Sequence, residues 1–195
     1  MPRPSRKNDI LEALAKELES NPGDRITTAL LAKSVGVSEA ALYRHFPSKA
    51  RMFESLLEFA EEAVFARINQ ILDEESDTRL RCSKVIYLML GFSDRNPGIT
   101  RVLLGDALQG EHERLHERVE NFFQRLETQF RQILREATIR QDAQLHATAE
   151  QAAQILVAFI EGRMHQFLRT RFKQSTTENW DSDWKMLHHG IFIST

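Results

Sequence analysis

Residues 112–116 read His-Glu-Arg-Leu-His, the spacing with which one helix face offers two zinc ligands, His112 and His116, beside a base, Glu113. Glu136 stands twenty residues past the second histidine, where some zinc peptidases place a third ligand. The surrounding stretch, GEHERLHERVENFFQRLETQFRQILRE, is one uninterrupted amphipathic pattern. Twenty residues of helix would carry Glu136 about 30 Å from His116, whereas a ligand lies about 2 Å from zinc. Solvated histidines on a charged helix account for the motif better than a metal site does. His188 and His189 are adjacent and do not face one another on a helix. No metal, cofactor or catalytic residue is expected, and the chain does not read as an enzyme.

A second group of residues suggests a different chemistry. In VGVSEAALYRHFPSK, residues 35–49, Ser38, Glu39, Ala40, Tyr43, Arg44 and His45 fall around the outer and leading edges of a short helix, while Leu42 and Phe46 turn toward a core. Small Ala40 lets the backbone approach, and its methyl can touch a thymine methyl. Thr28, Tyr43, His45 and Lys49 can donate to phosphates, as can amides at a helix N-terminus.

The elements that must position these groups are helical. Across the 195 residues apolar side chains recur at three- and four-residue spacing without sustained alternation, which predicts an all-α fold. A first helix spans Asp9 to Leu18 and stops at SNPGD. Thr27 or Thr28 caps a second, to about Val35, where Gly36 supplies the turn. Ser38 caps the third, Pro47 ends it, and Ser48 opens a fourth to about Leu72. Further helices are expected over Asp77 to Asp94, from NPG to about Leu104, and over Glu111 to Arg140, Thr148 to Phe172 and Trp180 to Phe192. A head of residues 1–50 and a body of 51–195 follow.

Charge divides the same way. The head carries eight basic and six acidic side chains and the body eighteen and twenty-two, so only the head suits a phosphate backbone. Lone Cys82 forms no internal disulfide. The apolar run VIYLMLGF is far too short to span a bilayer, and no secretion signal is evident. A cytoplasmic protein with no membrane role is expected.

A helix, a glycine-containing turn and a capped second helix match the helix-turn-helix unit, whose second helix enters the major groove. Ordinary helix packing can produce the same geometry. The segment RITTALLAKSVGVSEAALYRHFPSKARMF, residues 25–53, resembles the DNA-binding head of the TetR-type family. The resemblance implies an all-α homodimer on a palindromic double-stranded site, with Thr27, Thr28, Ser38, Glu39, Ala40, Tyr43, Arg44, His45 and Lys49 facing DNA. Members commonly enclose a small-molecule pocket, so a ligand-responsive repressor is one expectation for the body.

The middle helices suggest another. Phe59 and Phe65 lie well off the fourth helix's apolar stripe, either packing under other helices or serving a surface. On the fifth helix Cys82, Val85, Ile86, Met89 and Phe92 form a buried side. Arg81, Lys84, Leu88, Gly91 and Arg95 cluster opposite. A solvent-facing helical glycine costs roughly 1 kcal/mol relative to alanine, so Gly91 suggests close approach of another backbone. A solvated basic face with an incidental glycine is the plainer alternative.

The segments EFAEE, ARINQILDEESDT, GFSDRNPGITRVLLGDAL and RLETQFRQILRE extend the resemblance to the nucleoid occlusion factors of Gram-negative bacteria, a branch of the same family. The likeness covers about residues 8–136 and thins beyond, and Asp106 departs from the branch's pattern. It implies a nucleoid-associated protein that, when DNA-bound, contacts the acidic C-terminal tail of the division protein FtsZ and opposes septum assembly. It implies that the tail meets Phe59, Arg67, Leu88, Gly91, Arg95 and Asn96. More than one dimer can share a site. For the dimer, Ala152, Ala153, Ala158 and Gly162 and the aromatic face of the last helix suggest a four-helix bundle across a two-fold axis. Completion of the monomer core is the alternative.

Overall fold

The computed structural model describes residues 6–193. Among them lie α1 (Arg6–Ser20), α2 (Thr28–Val35), α3 (Glu39–His45), α4 (Lys49–Glu74), α5 (Thr78–Arg95), α6 (Pro97–Leu103), α7 (Glu113–Arg140), α8 (Ala149–Arg169) and α9 (Trp180–Ile191). The fold is all-α, as expected. One isolated bridge, Leu145 to Phe192, is the only extended pairing among the described residues. The chain forms two compact units, Met1–Glu61 with Asn96–Val119, and Glu62–Arg95 with Glu120–Thr195.

Caps set the first unit's short helices. The Thr27 hydroxyl accepts from the Leu30 amide, and Gly36 closes α2 in the left-handed region at φ 73°. The Ser38 hydroxyl accepts from the Ala41 amide, Phe46 leaves the helix at φ −132° before Pro47, and the Ser48 hydroxyl accepts from the Arg51 amide. Ile10, Leu14, Leu31, Leu42 and Phe46 are buried and hold the three helices together.

Two residues of α6, one turn apart, fix it against α1. A Cβ on Gly98 would lie 2.0 Å from the Ala15 carbonyl oxygen, so only glycine permits this approach. Arg101 is 1% exposed. Its guanidinium donates to the carbonyls of Leu18 at 2.9 Å, Asn21 at 2.7 Å and Asp24 at 3.3 Å, and to the Asp106 carboxylate. A helix C-terminus leaves four carbonyls without intrahelical partners; this side chain satisfies carbonyls at the end of α1 and along the turn behind it. The Asp106 carboxylate supplies the countercharge.

In the second unit, Phe65 is 3% exposed and meets Phe122 edge-on, ring centroids 5.3 Å apart, while Arg125 lies over its face at 3.8 Å. Its distance from the apolar stripe is therefore explained by packing under α7. Cys82 is buried, and burial pushes its thiol up, so it is unreactive.

Replacing Arg101 by Ala should lower stability by about 1–3 kcal/mol, because buried carbonyls lose their donor. A thermal melt reads this directly, and an unchanged Tm would show that water replaces the guanidinium.

Candidate functional site

The surface of α3 carries the expected polar set. Ser38, Glu39, Ala40, Tyr43 and Arg44 are exposed and His45 is half-buried. Two neighbours are already engaged. The Thr28 hydroxyl donates to the Glu39 carboxylate at 2.7 Å, bracing α2 against α3. The Lys49 ammonium pairs with Glu111 at 2.7 Å and sits 5.4 Å from the Phe53 ring centroid. Lys49 reaches a phosphate only by giving up that carboxylate, whereas Arg44 and Tyr43 point out on the recognition helix.

The histidine motif does not assemble a metal site. The α7 helix begins at Glu113, so His112 lies before it rather than on its face; its Nδ1 accepts from the Arg114 amide. His116 Nε2 lies 3.2 Å from the Leu108 carbonyl. Glu136 meets Arg81 at 3.4 Å and accepts from Gln132. The rings of His188 and His189 do touch, edge to face at 5.6 Å, contrary to the expectation from adjacency. The breadth of two imidazoles bridges the angle between neighbouring positions. No group of three metal-ligating side chains occurs among the described residues.

Wholly within the second unit lies a groove of about 580 Å³, lined by Arg67, Ile71 and Glu74 of α4, by Ser83, Lys84, Tyr87, Leu88 and Arg95 of α5, and by Trp180 and Asp181 of α9. Three residues expected at a peptide site, Arg67, Leu88 and Arg95, are brought together here. Gly91 is buried, not exposed: the Arg95 side chain folds back over it, and a Cβ there would lie 3.2 Å from Arg95 Nη1. The missing side chain gives the guanidinium its bed. Arg81 is not part of the basic rim either. Its guanidinium donates to the carbonyls of Leu72 and Glu75, closing the end of α4, and Lys84 pairs with Glu75 at 2.8 Å.

Phe59 and Asn96 belong to the first unit, where they line an apolar pocket of about 310 Å³ with Leu11, Ala15, Leu56 and Ile99. Phe59 is 50% exposed.

Sequence reasoning missed Tyr87 and Trp180. Tyr87 is 51% exposed, and its ring centroid lies 5.7 Å from that of Trp180. Trp180 was expected on a dimer or core face of α9. The aromatic face of α9 turns toward α5 of its own unit, as the monomer-core alternative has it: Trp184 stacks on Trp180 at 6.0 Å and packs edge-on to Phe192, which Arg79 covers at 5.6 Å. Ala152 and Ala153 are likewise buried in the unit's own core, leaving Ala158 and Gly162 exposed.

Asp94, at the end of α5, holds Trp180 in place through the preceding loop. Its carboxylate accepts from the Ser175 hydroxyl at 2.6 Å, the Thr176 amide at 2.7 Å and the Thr177 hydroxyl at 3.0 Å. The Thr176 hydroxyl in turn donates to the Leu90 carbonyl at 2.6 Å. Burial alone would raise the carboxyl's pKa, but these donors outweigh it and hold it below the ordinary carboxylate value.

A helix-turn-helix and an all-α fold among the described residues are the features of the TetR class of DNA-binding regulators, proteins that are not enzymes. Residues 10–56 match the family model for bacterial regulatory proteins of the tetR family, and residues 76–191 the SlmA-like model of the tetracyclin repressor-like C-terminal domain. The chain is 54% identical over 193 residues to the nucleoid occlusion factor SlmA of Shewanella baltica, covering 99% of this chain and 98% of the relative. Against the protein of that name from Shewanella frigidimarina it is 53% identical with the same coverage. The chain belongs to the SlmA family of nucleoid occlusion factors. Its fold is also that of the MbdR regulator from Azoarcus sp. CIB, with TM-score 0.82 and 16% identity over 97% of this chain and 100% of that one. The regulator FadR from Bacillus subtilis in complex with stearoyl-CoA gives TM-score 0.79 and 17% identity over 94% and 98%. No helix among the described residues is long and apolar enough to cross a membrane.

The folded carboxyl of Asp94 titrates below its unfolded value, so its stabilisation is complete above the unfolded pKa and is lost as pH falls through the folded one. Asp94→Ala should therefore loosen α9 at neutral pH by about 1–3 kcal/mol and flatten the acid side of the stability profile. Denaturant titrations followed by tryptophan emission at pH 7 and in the acid range measure both effects.

Proposed function

We propose that this chain is a homodimeric nucleoid occlusion factor that reads palindromic DNA with α3 and, when DNA-bound, holds the acidic C-terminal tail of FtsZ, opposing septum assembly over the chromosome. The observation that carries the tail reading is the groove of the second unit, where Arg67, Lys84 and Arg95 share a wall with Ile71 and Leu88. Cations beside apolar side chains suit an extended acidic peptide. Gly91 belongs to this machinery through Arg95, which it beds. Phe59 and Asn96, which the family resemblance also assigns to the tail, line the first unit's own apolar pocket. The family supports DNA as the targeting signal, and with it a cytoplasmic, nucleoid-associated protein. The open, charged rim favours a peptide over an enclosed inducer.

Support for the dimer comes from α8, where Gln151, Ile155, Ala158, Gly162 and His165 are exposed at alternating four- and three-residue spacing. Ile155 is 52% exposed, and a Cβ on Gly162 would meet nothing within 4 Å. That stripe fits a close helix pair across a two-fold axis. A two-fold α8 pair is closed, so a second dimer on one DNA site would be brought there by the DNA and not by α8.

Gly91→Glu introduces a carboxylate beneath Arg95, competing with an acidic ligand for that cation. It should abolish binding of a fluorescent FtsZ tail peptide while leaving the affinity for palindromic DNA intact. Equal loss of both would contradict separate surfaces. Conversely, Arg44→Ala should weaken DNA binding and reduce the slope of log K against log salt by about one, with tail binding unchanged once DNA is saturating. Electrophoretic shifts across a salt series distinguish this from a folding defect, which would not alter the slope selectively.

A further inference from the structure

The groove is also lined by two aromatic residues that the family resemblance does not assign to the tail, Tyr87 and Trp180. We propose that these two rings form an apolar subsite that grips one non-polar side chain of the bound FtsZ tail and fixes its register, a reading that rests on the tail-binding function above.

The pair is built to receive a ligand. Tyr87 stands half out of the surface, its ring tilted 48° to Trp180 at 5.7 Å, and both line the same groove as Ile71 and Leu88. The groove's 580 Å³ falls within the roughly 300–1,000 Å³ of ligand-binding clefts. Trp180 is set before any ligand arrives. Asp94 fastens the loop at 175–177, and Trp184 stacks behind the indole at 6.0 Å with planes 22° apart. A ring already ordered loses little further conformational freedom on binding, which is the property of aromatic anchors at the centre of interfaces.

The charges that share the groove select what kind of side chain goes where. Arg67, Lys84 and Arg95 offer cations, whereas Glu74 and Asp181 offer carboxylates. Asp181 directly follows Trp180 in the chain. An acidic peptide residue placed there would meet a like charge, while a neutral apolar one covers the two rings without penalty. The occupant is thus an acidic segment interrupted by a non-polar residue, with its carboxylates facing the arginines and lysine.

Direct spectroscopy is possible because the chain has two tryptophans. In Trp184→Phe, emission reports Trp180 alone. Titration with FtsZ tail peptide should change that emission saturably, with the midpoint found from the anisotropy of labelled peptide. In the otherwise unaltered protein Tyr87→Ala should weaken the peptide about five- to tenfold, while Tyr87→Phe, which keeps the ring, stays within about twofold. Alanine replacement of each apolar peptide residue should reveal one whose effect is not additive with Tyr87→Ala. Intact DNA affinity of the Tyr87 variants guards against misfolding. The subsite is overturned if wild-type protein binds the tail and Gly91→Glu does not, yet Tyr87→Ala binds as tightly as wild type and Trp180 emission is unmoved. Absence of tail binding by the wild-type protein would remove the tail reading itself, and the subsite with it.

Discussion

The grip of Arg101 on the end of α1 is the constraint on which the first unit depends. A guanidinium taken almost fully from water is costly unless each of its nitrogens finds a partner. Three main-chain carbonyls and the Asp106 carboxylate meet that requirement. Because the carbonyls come from α1 and the turn that follows it, the satisfied arginine also determines where that turn leads, and hence where α2 begins. Gly98 adds a steric condition one turn earlier, where α6 lies against the α1 backbone too closely for a side chain. Together they hold the long helix of the head against α6. The short helices α2 and α3 have few hydrogen bonds of their own and depend on that support.

The second unit solves a related problem with a carboxylate. Asp94 gathers a main-chain amide and two hydroxyls from the loop before α9. Without it, that loop would leave donors to water and Trp180 without a fixed position beside Tyr87. Arg81 does the corresponding work at the end of α4, donating to the carbonyls of Leu72 and Glu75. In both units, charged side chains are committed to main-chain groups at helix ends and the loops beside them. Their roles follow from the helix termini they meet rather than from the face they occupy.

That difference separates what was legible in the sequence from what was not. Caps and stops are local: Thr27, Gly36, Ser38, Pro47 and Ser48 act within three residues of their own positions, and the structure places them as their chemistry requires. The inward turn of Leu42 and Phe46 is equally local, set by helical periodicity. The partners a side chain chooses were not legible, whether one turn away or far along the chain. The wheel separates Gly91 from the core side of α5 but contains no information that Arg95 will fold over it. The chemistry of an ammonium suggests that Lys49 meets phosphate without revealing Glu111, 62 residues away. The aromatic spacing of α9 indicates a face but not its neighbour, and that neighbour is α5 in the same unit. Tyr87 had no distinguishing pattern at all, since an aromatic residue inside an apolar run reads as core until its exposure is known.

The groove's electrostatics follow from these commitments. Arg81 is spent on carbonyls and Lys84 faces Glu75 at 2.8 Å, while Arg67 is hydrogen-bonded to neutral Gln70 and Arg95 lies over Gly91. Exposed ion pairs contribute little net free energy, so such a rim steers and orients an acidic segment more than it binds one. Affinity must then come from apolar area, and the groove concentrates that area at Ile71, Leu88, Tyr87 and Trp180. A surface divided in this way discriminates by register: an acidic peptide without a correctly spaced non-polar residue meets the cations but leaves the rings in water. One with that residue satisfies both at once. The same division explains why a glycine at 91 matters in a position that is not itself open to solvent, because the placement of Arg95, and with it one end of the charge pattern, depends on the side chain that is absent there.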